Sequence, residues 1–290
     1  LAVKATNSFE ATRDKVQKYL NANHREEIIF TKGATEAINL VASSYGKKYI
    51  NKGDEILITE LEHHSNYVPW NFLRTEKGAV IKFAQVNENG DIELDEIKKL
   101  ITSKTKIIAI THISNVTGAV LPITKIVDLA KEKKIPVLID GTQGAPHSEI
   151  DMQKIGCDFY AISCHKMYGP NGLGLLYMKK KWVDDLPPYQ GGGGMINEVK
   201  KDEISFADAH TKFEAGTMQT AEVVAFAESL NFIEKLGIKN IASHENEILQ
   251  YGLEILKKNN SINIIGDPKE RGSVLCFTLK DIHPHDIATI

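Results

Sequence analysis

Residues 136–174 read PVLIDGTQGAPHSEIDMQKIGCDFYAISCHKMYGPNGLG and contain two strand-like runs. The first run, 136–140, is apolar and ends in a carboxylate. The second run, 159–163, is followed by Cys-His-Lys and a Tyr-Gly-Pro turn. Ligands of open α/β sheets bind outside the carboxyl ends of the strands. We therefore expect the polar residues at these two ends to gather at one edge of a sheet: Asp140, Gln143, Ser163, His165 and Lys166.

This set of side chains suits an aldehyde cofactor with a phosphate and a ring nitrogen, which is pyridoxal 5'-phosphate. The Lys166 amine can form a Schiff base with the aldehyde once its surroundings deprotonate it. A buried carboxylate at Asp140 would keep the pyridine nitrogen protonated, and Ser163 and His165 are candidates to reach phosphate oxygens. Taken singly, Asp140 is explained as a helix cap and Lys166 as a surface lysine. On two strand ends joined by a crossover, together they favour a cofactor site.

The rest of the chain alternates strand and helix patterns, which predicts an α/β fold with a mostly parallel sheet flanked by helices. We assign a cofactor-binding large domain to residues 1–235 and the start of a smaller, incomplete α/β domain to residues 236–290. Predicted strands are 27–30, 55–59, 79–83, 106–112, 136–140, 159–163, 172–178, 262–265 and 274–279; predicted helices are 8–19, 37–45, 94–101, 123–131, 221–236 and 242–257.

Three further segments offer candidate ligand-binding residues. Residues 31–36 are a small-residue turn between a strand and a helix, which is the geometry of an anion site; Thr35 either adds a hydroxyl there or caps the helix. Adjacent histidines, His63 and His64, point in different directions on any regular element, so at most one faces the ligand. No further ligands follow at zinc-like spacing, and we predict no metal site. Residues 115–118 read as a turn.

Five motifs carry a resemblance to a known family. In chain order they are EHHSNYVPW (62–70), HISNVTG (112–118), VLIDGTQ (137–143), SCHKMYGP (163–170) and FEAGT (213–217). These runs resemble those of the pyridoxal-phosphate cysteine desulfurases and selenocysteine lyases, in the fold-type-I, class-V aminotransferase-like superfamily. The resemblance spans almost the whole chain, and the motifs appear in the family's order.

The resemblance implies roles that the residues alone leave open. It selects His63 as the ring that stacks on the pyridine and shuttles protons. It makes Lys166 the base that removes the substrate α-proton, and it brings Asn115 to the cofactor's ring hydroxyl or to the substrate carboxylate. It sends Thr217 to the phosphate of a neighbouring subunit, which implies a homodimer. The implied reaction takes sulfur from L-cysteine, or selenium from L-selenocysteine, and gives alanine. For cysteine it forms an enzyme persulfide that supplies a sulfur-acceptor protein for iron–sulfur cluster assembly.

The chain departs from the family's pattern in its cysteines. The family carries its nucleophilic thiolate and a substrate-binding arginine on a part of the smaller domain that we expect beyond residue 290. The chain opens without a methionine, and residues 286–290 read as the start of an unfinished helix, so we interpret the chain as truncated at both ends. Cys157 and Cys276 lie in apolar strand contexts and are predicted core residues. Cys164 replaces a small residue, and strand alternation would turn it away from the phosphate.

Composition narrows the class of protein. Lysine and arginine total 35 against 38 acidic residues, and this net charge of -3 argues against nucleic-acid or membrane-surface binding. We expect a cytoplasmic enzyme, or an organellar one in a eukaryote. Two alternatives stay open: another class-V enzyme, such as a selenocysteine lyase, a kynureninase-like enzyme or an aminotransferase, and a non-catalytic cofactor-binding fragment. The motif EHHSNYVPW favours the desulfurase.

Overall fold

A computed structural model describes residues 2–290 of the chain. Its centre is a seven-stranded sheet with the spatial order β1-β7-β6-β5-β4-β2-β3. The strands are β1 (Ile28–Thr31), β2 (Glu55–Thr59), β3 (Val80–Ala84), β4 (Thr105–Thr111), β5 (Val137–Asp140), β6 (Phe159–Ser163) and β7 (Gly174–Met178). β7 is antiparallel to both β6 and β1, and the other neighbouring strands are parallel. The predicted mostly parallel sheet is thus confirmed.

Helices cover both faces of this sheet. They are α1 (Ala2–Tyr19), α2 (Ala34–Tyr49), α3 (Val68–Lys77), α4 (Leu94–Leu100), α5 (Ile123–Glu132), α6 (Met152–Ile155), α7 (Lys180–Asp185), α8 (Thr220–Leu236), α9 (Ile238–Lys257) and α10 (Pro284–Thr289). α5 buries Ile123, Ile126, Val127 and Ala130, the spacing of one helical face.

Alternate residues of each strand enter two different cores. Ile56 and Ile58 pack in the core shared with α2 and α3, whereas Leu57 between them joins the core on the side of α1, α5 and α8. A sheet covered on both faces needs apolar residues at every strand position. This explains why the strands appear in the sequence as unbroken apolar runs.

Two small hairpins complete the described chain: β8 (Ile196–Val199) with β9 (Ile204–Phe206), and β10 (Ile262–Ile264) with β11 (Phe277–Leu279). Gly237 separates α8 from α9, next to the predicted domain division. The later segment also contacts the large sheet's connections, since the N–H of Gly272 donates to the Gly118 carbonyl at 2.8 Å. The division at 235/236 stays a prediction.

The structure corrects several details of the predicted elements. Helices α1, α2 and α9 begin earlier than predicted, at Ala2, Ala34 and Ile238. The sequence analysis did not predict α3, whose Pro69 lies in the first turn, where a proline is tolerated. The last strand begins at Phe277 rather than at position 274, and Cys276 is half-buried instead of lying in the core. The reason is that β11 pairs only with β10 in a two-stranded hairpin, which cannot enclose both of its faces. Across residues 2–290, no helix has the length and apolar character needed to cross a bilayer.

Candidate active site

A cavity of about 220 Å³ opens at the carboxyl ends of β4, β5 and β6 and beside the start of α2. Eight of the nine residues predicted as cofactor ligands line it, and their roles stay predictions. The lining residues are Ala34, Thr35, His63, Ser65, Thr111, Ile113, Asn115, Asp140, Thr142, Gln143, Ser163, His165 and Lys166.

The first turn of α2 and the end of β6 form one wall. The backbone N–H of Ala34 donates to the Ser163 hydroxyl oxygen at 3.0 Å, which leaves the hydroxyl proton for a ligand. This approach requires a glycine at position 174, because a side chain there would meet the Gly33 Cα at 2.4 Å. The exposed Thr35 hydroxyl extends the wall into the cavity. A helix N-terminus with added hydroxyls is an anion site.

The side chain of His63 is held by a residue that the sequence analysis missed. The Ser65 backbone N–H donates to His63 Nδ1 at 3.2 Å, so this nitrogen is the unprotonated one when the ring is neutral. The Ser65 hydroxyl lies 3.1 Å from the same nitrogen and 2.8 Å from the Thr35 hydroxyl. Ser65 therefore joins the ring to the anion-binding wall. His64 is exposed and does not line the cavity.

Asp140 ends β5 and is 5% exposed. One of its carboxylate oxygens accepts a hydrogen bond from the Thr142 N–H at 3.0 Å. Among residues 2–290 this is the donor that reaches the carboxylate, so its second oxygen is available to a ligand. The Thr142 hydroxyl is buried at the same cavity without a hydrogen-bond partner in the described chain. Both observations mark a site shaped for a polar group that the protein itself does not supply.

Lys166 closes a short 3₁₀ turn, Cys164–Lys166, that follows β6 directly. Within the described chain its amine donates to no protein acceptor, and both Lys166 and His165 face the cavity. Cys164 turns the other way into the apolar core, as the prediction had it, although a turn rather than a continued strand is the cause. Burial raises the pKa of the Cys164 thiol well above its usual value.

Beneath the cavity lie polar groups that no local pattern signals. His112 Nδ1 lies 2.8 Å from the Tyr160 hydroxyl, and burial lowers the pKa of His112 to about 4, which keeps the ring neutral. Glu62 is half-buried as a residue, but three donors surround its carboxylate. Burial raises the pKa of Glu62 most, and the nearby charge of Asp140 adds to this effect, whereas the three hydrogen bonds lower the pKa. The net result is a pKa of about 8.

Thr217 is the one predicted ligand that does not line this cavity. It is exposed, in the loop that precedes α8. The loop is anchored by Glu214, whose carboxylate accepts two hydrogen bonds from the buried Arg13 guanidinium and one from the Phe30 N–H. The role of Thr217 toward a neighbouring subunit stays a prediction.

Comparison with known proteins assigns the chain to a family. Residues 1–290 match the family model described as aminotransferase class-V. The chain belongs to the class-V aminotransferase family. The resemblance read from the five motifs is confirmed.

Several members of the class-V aminotransferase family are similar over nearly the whole chain. A probable cysteine desulfurase of Staphylococcus epidermidis is 46% identical over 286 residues, which cover 98% of this chain and 69% of that protein. A probable cysteine desulfurase of Halalkalibacterium halodurans is 41% identical over 290 residues, with 100% and 71% covered. The crystal structure of the cysteine desulfurase CsdA from Escherichia coli superposes with a TM-score of 0.94 at 34% identity, and 99% of this chain aligns with 72% of that one.

Class-V aminotransferases depend on pyridoxal phosphate, and the residues of this cavity fit that cofactor. The start of α2, Thr35 and Ser163 supply donors for a phosphate. Asp140 supplies an uncommitted carboxylate oxygen for a ring nitrogen, and Lys166 supplies an uncommitted amine for the aldehyde. His63 completes the set with an aromatic ring. The site therefore holds each functional group that the cofactor's own chemistry requires.

Proposed function

We propose that this protein is a pyridoxal-phosphate-dependent cysteine desulfurase that removes sulfur from L-cysteine and releases alanine. One observation carries the proposal: Lys166, Asp140 and His63 line one cavity at the start of α2. The chain that builds this cavity is 46% identical to a probable cysteine desulfurase.

Each of these side chains has a separate task. When bound, pyridoxal phosphate supplies an electron sink for negative charge that develops at the substrate α-carbon. Lys166 would hold the cofactor through its amine, and the same amine is placed to move the substrate α-proton. Asp140 would keep the proton on the ring nitrogen, because a nearly buried carboxylate is stabilised by a cationic partner. His63 would pack on the ring face, with Nε2 free to exchange a proton because Nδ1 accepts the Ser65 N–H.

The wall at α2 orients the cofactor. The Ala34 turn, the Thr35 hydroxyl and the Ser163 hydroxyl would bind its phosphate, and His165 lines the same cavity. We place Asn115 and Gln143 at the ring substituents and the substrate carboxylate, because they line the same cavity and are not part of the wall at α2. Fixed donors of this kind turn a bimolecular encounter into a positioned reaction.

Sulfur transfer needs a mobile, exposed thiolate, and none of the three cysteines offers one. Cys157 and Cys164 are buried, and burial raises the pKa of both thiols. Cys276 is half-buried next to β11 and does not line the cavity. We therefore expect residues 1–290 alone to exchange the substrate α-proton without sustained release of sulfur.

We also propose a homodimer with composite sites, in which Thr217 reaches the phosphate of the partner. Its support is that Thr217 is exposed, while Glu214 three residues earlier is buried and paired. Transfer of the sulfur to an acceptor protein for iron–sulfur cluster assembly, and a cytoplasmic location, complete the proposal.

The decisive experiment follows the α-proton and the sulfur separately. The 290-residue chain is loaded with pyridoxal phosphate and incubated with L-cysteine and a reductant in D₂O. Deuterium at the α-carbon is then measured by NMR, and alanine and sulfide are quantified. We expect α-exchange with less than one alanine per chain, and loss of exchange in Lys166→Ala. Asp140→Ala should both weaken cofactor binding and stop exchange.

Other outcomes contradict parts of this proposal. Multiple turnovers to alanine would assign the thiolate to one of the three cysteines, with Cys164 tested first. Unchanged borohydride-fixed cofactor in Lys166→Ala, measured by mass, would remove the lysine from its role. With a keto acid added as amino acceptor, catalytic conversion of L-cysteine to 3-mercaptopyruvate with formation of the matching amino acid would make the protein an aminotransferase instead.

A further inference from the structure

The loop between β2 and α3 carries His63 into the cavity, and its preceding residue, Glu62, reaches across to a different strand. Glu62 Oε1 accepts the Thr111 backbone N–H at 3.0 Å and the Thr59 hydroxyl at 2.6 Å. Glu62 Oε2 accepts the Asn66 amide at 2.6 Å. One carboxylate therefore ties the end of β2, the loop and the end of β4 together.

The hydrogen bond from Thr111 attaches Glu62 to the strand next to Asp140, because Thr111 is the register partner of Asp140 in the β4–β5 pair. It also lines the cavity itself. The Glu62 carboxylate thus fixes the loop to the residue beside the expected partner of the cofactor nitrogen. Its own chain neighbour is His63, the expected partner of the ring face.

The hydrogen bond from the Asn66 amide to Glu62 has a defined orientation. The Trp70 ring is fully buried, and its N–H donates to Asn66 Oδ1 at 3.1 Å. Asn66 is itself buried, so this bond determines which way its amide points. The Asn66 amide nitrogen faces Glu62, and the carboxylate at position 62 meets three donors from protein groups. A neutral amide at that position would meet the Asn66 donor with a donor of its own.

We propose that Glu62 is a positioning residue that fixes the separation between the His63 ring and Asp140, and thereby the placement of the bound cofactor ring. This inference rests on the proposed function for the identity of the cofactor. Glu62 acts through His63 and Thr111 and does not line the cavity itself.

The test is an exchange of hydrogen-bonding groups. Glu62→Gln places two donors face to face, and Asn66→Asp places two carboxylates face to face. The double variant Glu62→Gln/Asn66→Asp restores a donor opposite an acceptor and keeps an acceptor for the Trp70 N–H. Glu60→Gln in the same loop is the matched control, since Glu60 is exposed and contacts the Val86 N–H instead.

Three quantities are measured on the 290-residue chain: the Kd for pyridoxal phosphate, the visible circular dichroism per bound cofactor, and the melting temperature without cofactor. We expect each single variant to bind the cofactor about tenfold more weakly, which corresponds to the loss of one buried hydrogen bond, with altered dichroism. The double variant should return to within about threefold of the starting affinity, with the starting dichroism.

Three results would overturn the inference. The first is wild-type affinity and dichroism in Glu62→Gln. The second is a folded double variant that binds no better than the single variants. Variants that only melt earlier, with unchanged dichroism per bound cofactor, would make Glu62 merely structural and also reject the proposal. If the unmodified chain itself fails to bind pyridoxal phosphate, the proposed function fails instead.

Discussion

Replacing Arg13 with methionine is the most direct test of how the Thr217 loop is held. Arg13 is fully buried in α1, and its guanidinium donates to both Glu214 oxygens at 2.9 and 2.8 Å and to the Ile28 carbonyl at 2.6 Å. It also lies 4.7 Å from the centre of the Phe30 ring. Burial opposes the charge, yet the attraction and hydrogen bonds of Glu214 raise the pKa of Arg13 above its usual value.

The expected cost follows from what Arg13→Met leaves behind. Methionine keeps most of the packing of the aliphatic stem, but the Glu214 carboxylate stays buried without its counter-ion. Removing one partner of a buried ion pair costs about 3–5 kcal/mol, which corresponds to a fall in melting temperature of roughly 10 °C for a chain of this size. Adding Glu214→Gln removes the stranded charge and keeps an acceptor for the Phe30 N–H, so the double variant should be more stable than Arg13→Met alone.

Thermal and urea unfolding of the cofactor-free chain measure these differences. Arg25→Met serves as the control, because Arg25 pairs with Glu10 and Asp14 at half-exposed positions and should lose at most about 1 kcal/mol. The reasoning would be refuted if Arg13→Met lowered the free energy of unfolding by less than about 1 kcal/mol, or if the double variant were less stable than Arg13→Met alone.

Three further predictions concern buried groups near the cavity and the proposed subunit interface. His112 stays neutral in the folded state down to a pKa of about 4. Stability is therefore lost as the pH falls from about 6.5, at up to about 1.4 kcal/mol per pH unit. In urea unfolding, His112→Gln should lose less stability than the unmodified chain as the pH falls. The control variant His244→Gln, at an exposed position, should lose as much as the unmodified chain. Gly141→Ala would put a methyl group 1.8 Å from the buried Tyr160 ring, so we expect about 1–3 kcal/mol of destabilisation by calorimetry and weaker cofactor binding; equal stability would contradict that packing. Thr217→Val should weaken cofactor binding in a dimer while a dimer persists in light scattering, and a tightly binding monomer would refute the composite site.

The position of the site was predictable because its residues end buried strands. Apolar runs such as 136–140 and 159–163 identify strands by composition, and parallel strands bring their carboxyl ends to one edge. Asp140 and Ser163 could therefore be placed together without knowing the strand order.

The supporting contacts were not predictable for the opposite reason. Glu62 meets Thr111 and His112 meets Tyr160 across the fold, and no periodicity links such distant positions. Ser65 was also missed, but a local signal existed: it lies two residues after His63, which is the spacing of a local side-chain-to-backbone turn. The role predicted for Thr217 involves a second subunit, so a single chain does not test it.

The reversed strand β7 has a consequence for how the protein acquires its cofactor. β1 pairs with β7, and the register partners Thr31 and Gly174 are separated by almost half the chain. Pairing of such distant segments is slow, because loop-closure entropy is lost before the contacts form. The wall made by Ala34 and Ser163 depends on that pairing. We therefore expect refolding chains to capture pyridoxal phosphate only after β1 docks, with a lag between secondary structure and cofactor absorbance in stopped-flow traces. Capture in step with the first secondary structure would contradict this order of events.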